Sequence, residues 1–285
     1  MSLPLDHIVV AVHDLDKTIA DYTALGFHVL RGGDHPGRTS HNALVVFADG
    51  AYFELIAFKE PSPNERWWRQ LDTHGEGIVD FALLPPDTAA TVARAAERGL
   101  QLTGPLDGGR LRPDGERLQW QTARSPTQDL PLLCGDITPR GLRVPEGDAR
   151  VHANGALGVS SLAIAVFDLD TSLLRWRALL GDAAVGQAVA VPGGDARIAV
   201  VQLGATTLIL SSPRGARGEA GSPLAQRLAT RGEGPYALVL RTGDAGQSGA
   251  ALDLGRSHGA VIEFELGSVG GASQAVVGAG ALTGG

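Results

Sequence analysis

The stretch Leu5-Asp6-His7-Ile8-Val9-Val10-Ala11-Val12, read together with Ala51-Tyr52-Phe53-Glu54-Leu55-Ile56, decides the fold. Each is an apolar, β-branched or aromatic run of strand length. Each is interrupted by a side chain that can hold a proton or a metal ion, His7 in the first and Glu54 in the second. Between them Asp14-Leu15-Asp16 supplies a helix N-cap, Ile19, Tyr22 and Leu25 recur at helical spacing, and Gly26 is placed to end the helix. Phe27-His28-Val29-Leu30 reads as a second strand and residues 32–40 as a polar loop. Asn42 to Phe47 then turns through Ala48-Asp49-Gly50 onto the Glu54 strand. The unit is β-α-β-β-β and covers residues 4–58.

The same punctuation returns at an equal shift, with His7, Asp14 and Gly26 mapping onto Asp80, Asp87 and Gly99. This second module, residues 77–136, predicts a strand over Ile78 to Leu83, a helix capped by Asp87, a strand opening at Gln101-Leu102, and a closing pair from Leu118-Gln119-Trp120-Gln121 and Leu130 to Leu133. A third copy begins after residue 155, with Asp168 and Asp170 in the places of Asp14 and Asp16 and a helix through Leu173, Trp176 and Leu180 to Gly181. A fourth is degenerate, with a strand at Tyr236 to Leu240, a short helix at Ala250-Ala251-Leu252, a strand at Val261 to Phe264, and a Gly/Ala/Ser tail over 267–285 that reads as frayed strand or disorder. Open sheets of this kind cannot bury their own faces, so tandem copies pair. The expected fold class is α+β, four βαβββ modules paired into two incomplete, open mixed β-barrels. The expected domains are 1–136 and 156–285, joined by an aperiodic Pro/Gly/charged linker over 137–155.

Composition narrows the function. Of the 285 residues 44% are hydrophobic and 19% charged, and the formal charge is −7, so neither a nucleic acid nor an anionic membrane surface is an expected partner. The lone cysteine, Cys134, follows an apolar run and reads as an inert core thiol in a reducing compartment, with cytoplasmic as the default. No P-loop, dinucleotide fingerprint, nucleophile elbow or Cys-x-x-Cys occurs, so no organic cofactor is expected. Asp107-Gly108-Gly109 reads as a hairpin turn. Arg66-Trp67-Trp68-Arg69 reads as a short amphipathic helix that packs over the cleft or joins a homodimer.

The paired module with a His in its first strand and a Glu in its last resembles the vicinal oxygen chelate superfamily, which includes glyoxalase I, extradiol dioxygenases and bleomycin resistance proteins. The residues that carry the likeness are Leu5 to Val12 with Asp14-Leu15-Asp16, and Asn42-Ala43-Leu44 followed by Tyr52 to Ile56. The resemblance implies a glyoxalase/dioxygenase-like fold and metal ligands at one position in each module's first strand and one in its last. The first-strand positions hold His7, Asp80, Ser161 and Ala237; the last-strand positions hold Glu54, Gly135 and Leu208. His7, Glu54 and Asp80 are thus the implied ligand set, one nitrogen and two carboxylates, suited to Mn²⁺, Fe²⁺ or Mg²⁺, with Zn²⁺ and Ni²⁺ also within the superfamily's range. Glu54 is also the implied proton carrier, in a lyase, isomerase or dioxygenase acting on a small oxygen-rich substrate.

The residues themselves leave alternatives open. A carboxylate facing a sheet interior is costly unless paired or metal-bound, which favours function for Glu54. His7 is equally an ordinary half-buried histidine, and Asp80 equally the partner of an arginine such as Arg110, Arg112 or Arg117. Strand alternation puts Asn42 on the face of Glu54, and the same logic points Trp120 at the cleft; both are candidate substrate contacts. His41 should point away, and His35 lies in the loop. The competing reading is a metal-free protein that binds or sequesters a small molecule on the same fold.

Overall fold

The computed structural model describes residues 3–111, 115–214 and 222–267. The first module consists of β1 (Leu5–Ala11), α1 (Leu15–Ala24), β2 (Leu30–Asp34), β3 (Ser40–Val46) and β4 (Tyr52–Phe58). After the helix α2 (Arg66–His74) comes the second, with β5 (Gly77–Leu83), α3 (Thr88–Glu97), β6 (Thr103–Leu111), β7 (Arg117–Arg124) and β8 (Leu132–Asp136). These strands form one eight-stranded sheet in the order β2-β3-β4-β1-β5-β8-β7-β6. Within each module the first and last strands run parallel, and the modules meet where β1 pairs antiparallel with β5. The helices start where their caps predict, the side chains of Asp14 and Asp87 accepting from the backbone N–H of Lys17 and Ala90.

Two local expectations change. The second strand begins at Leu30, where Phe27-His28-Val29-Leu30 was expected to fill it, and runs into the polar stretch to Asp34. Phe27 instead packs edge-on against Phe47 and Phe53. Gly108 and Gly109 lie inside β6, opposite Trp120 and Gln119 of β7, and form no turn. The 137–155 segment carries a four-residue helix, α4 (Arg140–Arg143), and a 3-10 turn at Gly147–Arg150, both held against the first sheet.

The third module has β9 (Ala156–Ala165), α5 (Leu169–Leu180), β10 (Val189–Ala190), β11 (Ala196–Leu203) and β12 (Thr206–Pro213). After α6 (Pro223–Arg231), the fourth contributes β13 (Gly234–Thr242) and β14 (Val261–Leu266) to a six-stranded sheet ordered β10-β11-β12-β9-β13-β14. The expected helix at 250–252 is absent. Ala251 makes an isolated bridge to Glu263, and β14 lies parallel beside β13 in the place of a module's last strand. The tail expectation falls on 268–285, outside the described residues.

One apolar core joins the two sheets. Ile8, Val10, Phe53 and Leu55 of the first sheet share it with Val159, Leu162, Leu210 and Leu238 of the second, and Trp176 stacks on Phe81. Polar ties reinforce it. Arg241, 2% exposed, donates to Asp49 Oδ2 in the β3–β4 turn at 2.9 Å and to the Ala205 carbonyl. Removing one partner of a buried pair leaves an uncompensated charge, at a cost of about 3 kcal/mol or more. Asp49→Ala is therefore expected to lower the unfolding free energy measured by urea titration by that amount, and a loss below about 1 kcal/mol would show that the pair does little to join the sheets.

Candidate functional site

Strand alternation sorts the first sheet into two faces. Ile8, Val10, Ala43, Val45, Phe53 and Leu55 go to the shared core, while His7, Asn42, Leu44, Tyr52 and Glu54 face the other way. The registers Leu44↔Glu54, Val9↔Glu54 and His7↔Tyr52 place the polar members side by side. A cavity of about 450 Å³ lies on this face between the first module and β6–β8. That size suits a small metabolite, since ligand pockets run from roughly 300 to 1,000 Å³.

The base of the cavity is set by a bulge. Leu5 pairs with Leu83 and His7 with Ala82, so Asp6 is an extra residue on β1, and its carboxylate accepts a hydrogen bond from His7 Nδ1 at 2.7 Å. Asp6 is fully buried. Arg143 grips both its oxygens, at 2.9 and 3.0 Å, and Arg140 adds a third contact at 2.5 Å. Burial opposes ionisation of Asp6, but Arg143 and His7 override it and hold the carboxyl far below the usual carboxylate range. Arg143 also donates to Tyr52 Oη at 2.7 Å, and the Tyr52 ring stacks on His7 at 4.8 Å. The imidazole is therefore fixed on one side by a ring and on the other nitrogen by an anion.

Its free nitrogen, Nε2, lies 3.6 Å from Glu54 Oε2. Glu54 is 7% exposed; Asn42 Nδ2 donates to its Oε1 at 2.7 Å, and His35 Nε2 lies 3.4 Å from the same oxygen. Burial raises the carboxyl, yet His35, His7 and Asn42 together bring it from its ordinary 4.5 down to about 2. His35 is the residue that sequence reasoning missed. It follows β2, whose extension into the polar stretch carries it back over the sheet, and its Nδ1 lies 2.8 Å from Ser40 Oγ. The available signal was Gly32, where a Cβ would collide with the Asn42 side chain.

Trp120 lines the opposite wall, where it lies flat on β6 because Gly108 offers no Cβ to block its indole. Asp80 does not line the cavity. It is 2% exposed, paired with Arg66, hydrogen-bonded by Trp67 Nε1 at 2.7 Å and by the Phe81 amide. Its arginine is one from α2 rather than Arg110 or Arg117, with Arg112 outside the described residues; the Trp67 of that helix caps that end of the cavity while Trp68 packs on Phe58. Cys134 is buried in β8, and burial pushes its thiol well above the ordinary range.

The family model for the glyoxalase-like domain matches residues 5–180. The chain belongs to this glyoxalase-like family, of the vicinal oxygen chelate type. Among solved structures it is similar to a hypothetical protein from Staphylococcus aureus, at 14% identity and a TM-score of 0.67 over 93% of this chain and 99% of that one. It is also similar to a mutant 4-hydroxymandelate synthase from Streptomyces coelicolor, at 15% identity and a TM-score of 0.57 over 85% of this chain and 72% of that one. A third is a fusion of a xylose isomerase-like TIM barrel with a 4-hydroxyphenylpyruvate dioxygenase, at 19% identity and a TM-score of 0.56 over 86% of this chain and 37% of that one. At these identities the likeness shows the fold. No curated protein matches the sequence.

Members of the superfamily commonly use divalent metals, and the side chains here can be tested against one. His7 and Glu54 meet, but Asp80 is committed to Arg66 and Trp67, and the β8 position that matches Glu54 by register is Leu132 rather than Gly135 and offers no donor. His35 and His7 approach different oxygens of Glu54, so the carboxylate separates the rings. Among the described residues no three His, Cys, Asp or Glu side chains are grouped to hold an ion. Protein metal sites use three or four ligands, so the residues do not fit a resident metal.

Two outcomes follow. Chelator dialysis is expected to leave the urea midpoint and tryptophan fluorescence unchanged; a fall restored by Mn²⁺ or Ni²⁺ would show that an ion completes the His7–Glu54 pair. Because the folded Glu54 carboxyl is depressed, the stability it confers is present above about pH 4.5 and lost as pH falls toward about 2. Glu54→Gln should then be less stable than wild type by up to about 3 kcal/mol near pH 6, the gap closing as pH falls through that window. A gap independent of pH would rule out this coupling.

Proposed function

We propose that the protein is a metal-independent proton-transfer enzyme, of isomerase or lyase type, acting on a small oxygen-bearing molecule in the first-sheet cavity. The observation that carries this reading is the Asp6–His7–Glu54 line, with Nδ1 held by a buried carboxylate at 2.7 Å and Nε2 facing the cavity 3.6 Å from a second one. A transferring group works best when its proton affinity matches the operating pH. At about 2, Glu54 is too weak a base for that task at neutrality, whereas imidazole is the side chain suited to it.

The roles divide accordingly. His7 Nε2 takes a proton from the substrate carbon and returns it. Asp6 fixes the tautomer that leaves Nε2 as acceptor and stabilises the imidazolium once it forms. Glu54, ionised, stabilises the same cation from the cavity side and holds the Asn42 amide in place through its Oε1. Asn42 and His35 supply the donors that an enolate oxygen would need. The ligand-poor centre gives no support to the dioxygenase alternative, and a small-molecule binding protein would need no such fixed imidazole.

Deuterium exchange reads this directly. Incubation in D₂O with a panel of hydroxyketones, 2-oxo acids and 2-hydroxy acids, followed by proton NMR, should show label entering the position next to the carbonyl of at least one. His7→Ala should reduce that exchange by about 10²–10⁴-fold, the usual contribution of a general base. Saturable binding to the cavity with no exchange of any compound would make the protein a binder and end the catalytic reading.

A further inference from the structure

We propose that the ligand of this cavity is a small carboxylic acid whose carboxylate ion-pairs with Arg124. The inference deepens the proton-transfer reading, which supplies the reacting end, but it stands on a separate observation at the other end of the cavity. Arg124 closes β7, is half-buried and lines the cavity. Among the described residues its guanidinium makes no hydrogen bond and no ion pair. The other arginines around it are engaged: Arg66 with Asp80, Arg38 with Glu65 at 3.2 Å, Arg143 with Asp6 and Asp136, and Arg110 with the Gly32 carbonyl at 2.7 Å.

A half-buried cation without an acceptor is costly, and here two further cations, Arg38 and Arg66, press on it. Burial and these two neighbours lower its proton affinity, only partly offset by the carboxylates of Asp80 and Glu65. Structural arginines in this chain look different, as the fully gripped Arg143 shows. A guanidinium left with its donors facing a cavity is suited to a planar, bidentate acceptor, and a carboxylate is the commonest. The charge count selects a monoanion. One guanidinium is uncompensated, while Asp34 and Asp107 also line the cavity, paired with Lys59 at 2.6 Å and Gln121 at 3.0 Å, and would repel a dianion. Trp67 and Trp120 between the two ends offer flat apolar walls for the body of the acid, which orients its far end toward His7 and Glu54.

The test uses the full chain, with thermal unfolding and the fluorescence of the cavity tryptophans as readouts. The probes are phenylacetate, the isosteric phenylacetamide, and phenyl phosphate, at constant ionic strength. Apo Arg124→Gln should melt at the same temperature as wild type or higher, because an unpaired charge has been removed. Phenylacetate should bind wild type at least about tenfold more tightly than phenylacetamide, the scale of a charge-assisted hydrogen-bonded pair. Arg124→Gln should lose that preference, and Arg124→Lys should keep only part of it. A lowered Tm for apo Arg124→Gln, equal binding of acid and amide, or no saturable effect of phenylacetate would overturn the assignment, and tighter binding of phenyl phosphate would overturn the monoanion. The two readings fail separately: acid preference retained without deuterium exchange sinks the proton transfer alone, and exchange without acid preference sinks the carboxylate site alone.

Discussion

The buried pairing of Asp6 with Arg143 is the constraint on which the site depends. A carboxylate with no exposure survives in a protein interior only if its oxygens are filled, and here they are filled by Arg143, Arg140 and His7 together. Each partner inherits an orientation from that requirement. The bulge in β1 exists where Asp6 must turn inward, α4 sits where its arginines can reach, and His7 is left with one nitrogen committed and one directed at Glu54. The geometry of the reactive end is thus a by-product of satisfying one anion.

The repeat explains why only one module carries this chemistry. The position of His7 recurs as Asp80, but α2 delivers Arg66 and Trp67 to that carboxylate and removes it from the cavity. The last-strand position of the second module, expected at Gly135, is Leu132 by register, an apolar residue that lines the cavity, while Gly135 faces Thr88 and Pro85 on the other side of the sheet. The second module gives a wall of another kind, with Trp120 and Arg124 lining the same cavity as His7 and Glu54. In the proposed reading two halves built on one plan are complementary, one handling protons and the other recognising shape and charge.

Much of this was legible in the sequence, for identifiable reasons. The first strands, the capped helices and the meeting of Asn42 with Glu54 follow from periodicity, Asp caps and the Ala48-Asp49-Gly50 turn, all local signals. His7 and Glu54 were legible because polar residues interrupt apolar runs. Asp6 was not, since a bulge depends on how another strand pairs. His35, Arg143 and Arg124 were hidden for a similar reason: an arginine in an aperiodic segment reads as solvated until the chain is seen to double back. The short helix at 250–252 was misread because an Ala-Ala-Leu run is equally at home beside a strand, where Ala251 bridges Glu263.

The back-to-back core has an evolutionary consequence. By strand register the positions matching His7, Glu54 and Asp80 in the second sheet hold Ser161, Ile209 and Ala237, and Leu208, expected at the Glu54 position, points into the core instead; none is a histidine or carboxylate, yet the opposite face of that sheet keeps water from the apolar side of the first. The first sheet therefore depends on its companion for solvation alone, whatever side chains the companion carries on its outer face. A duplicated gene segment can lose every reactive group and still be impossible to discard, because it has become the other half's interior.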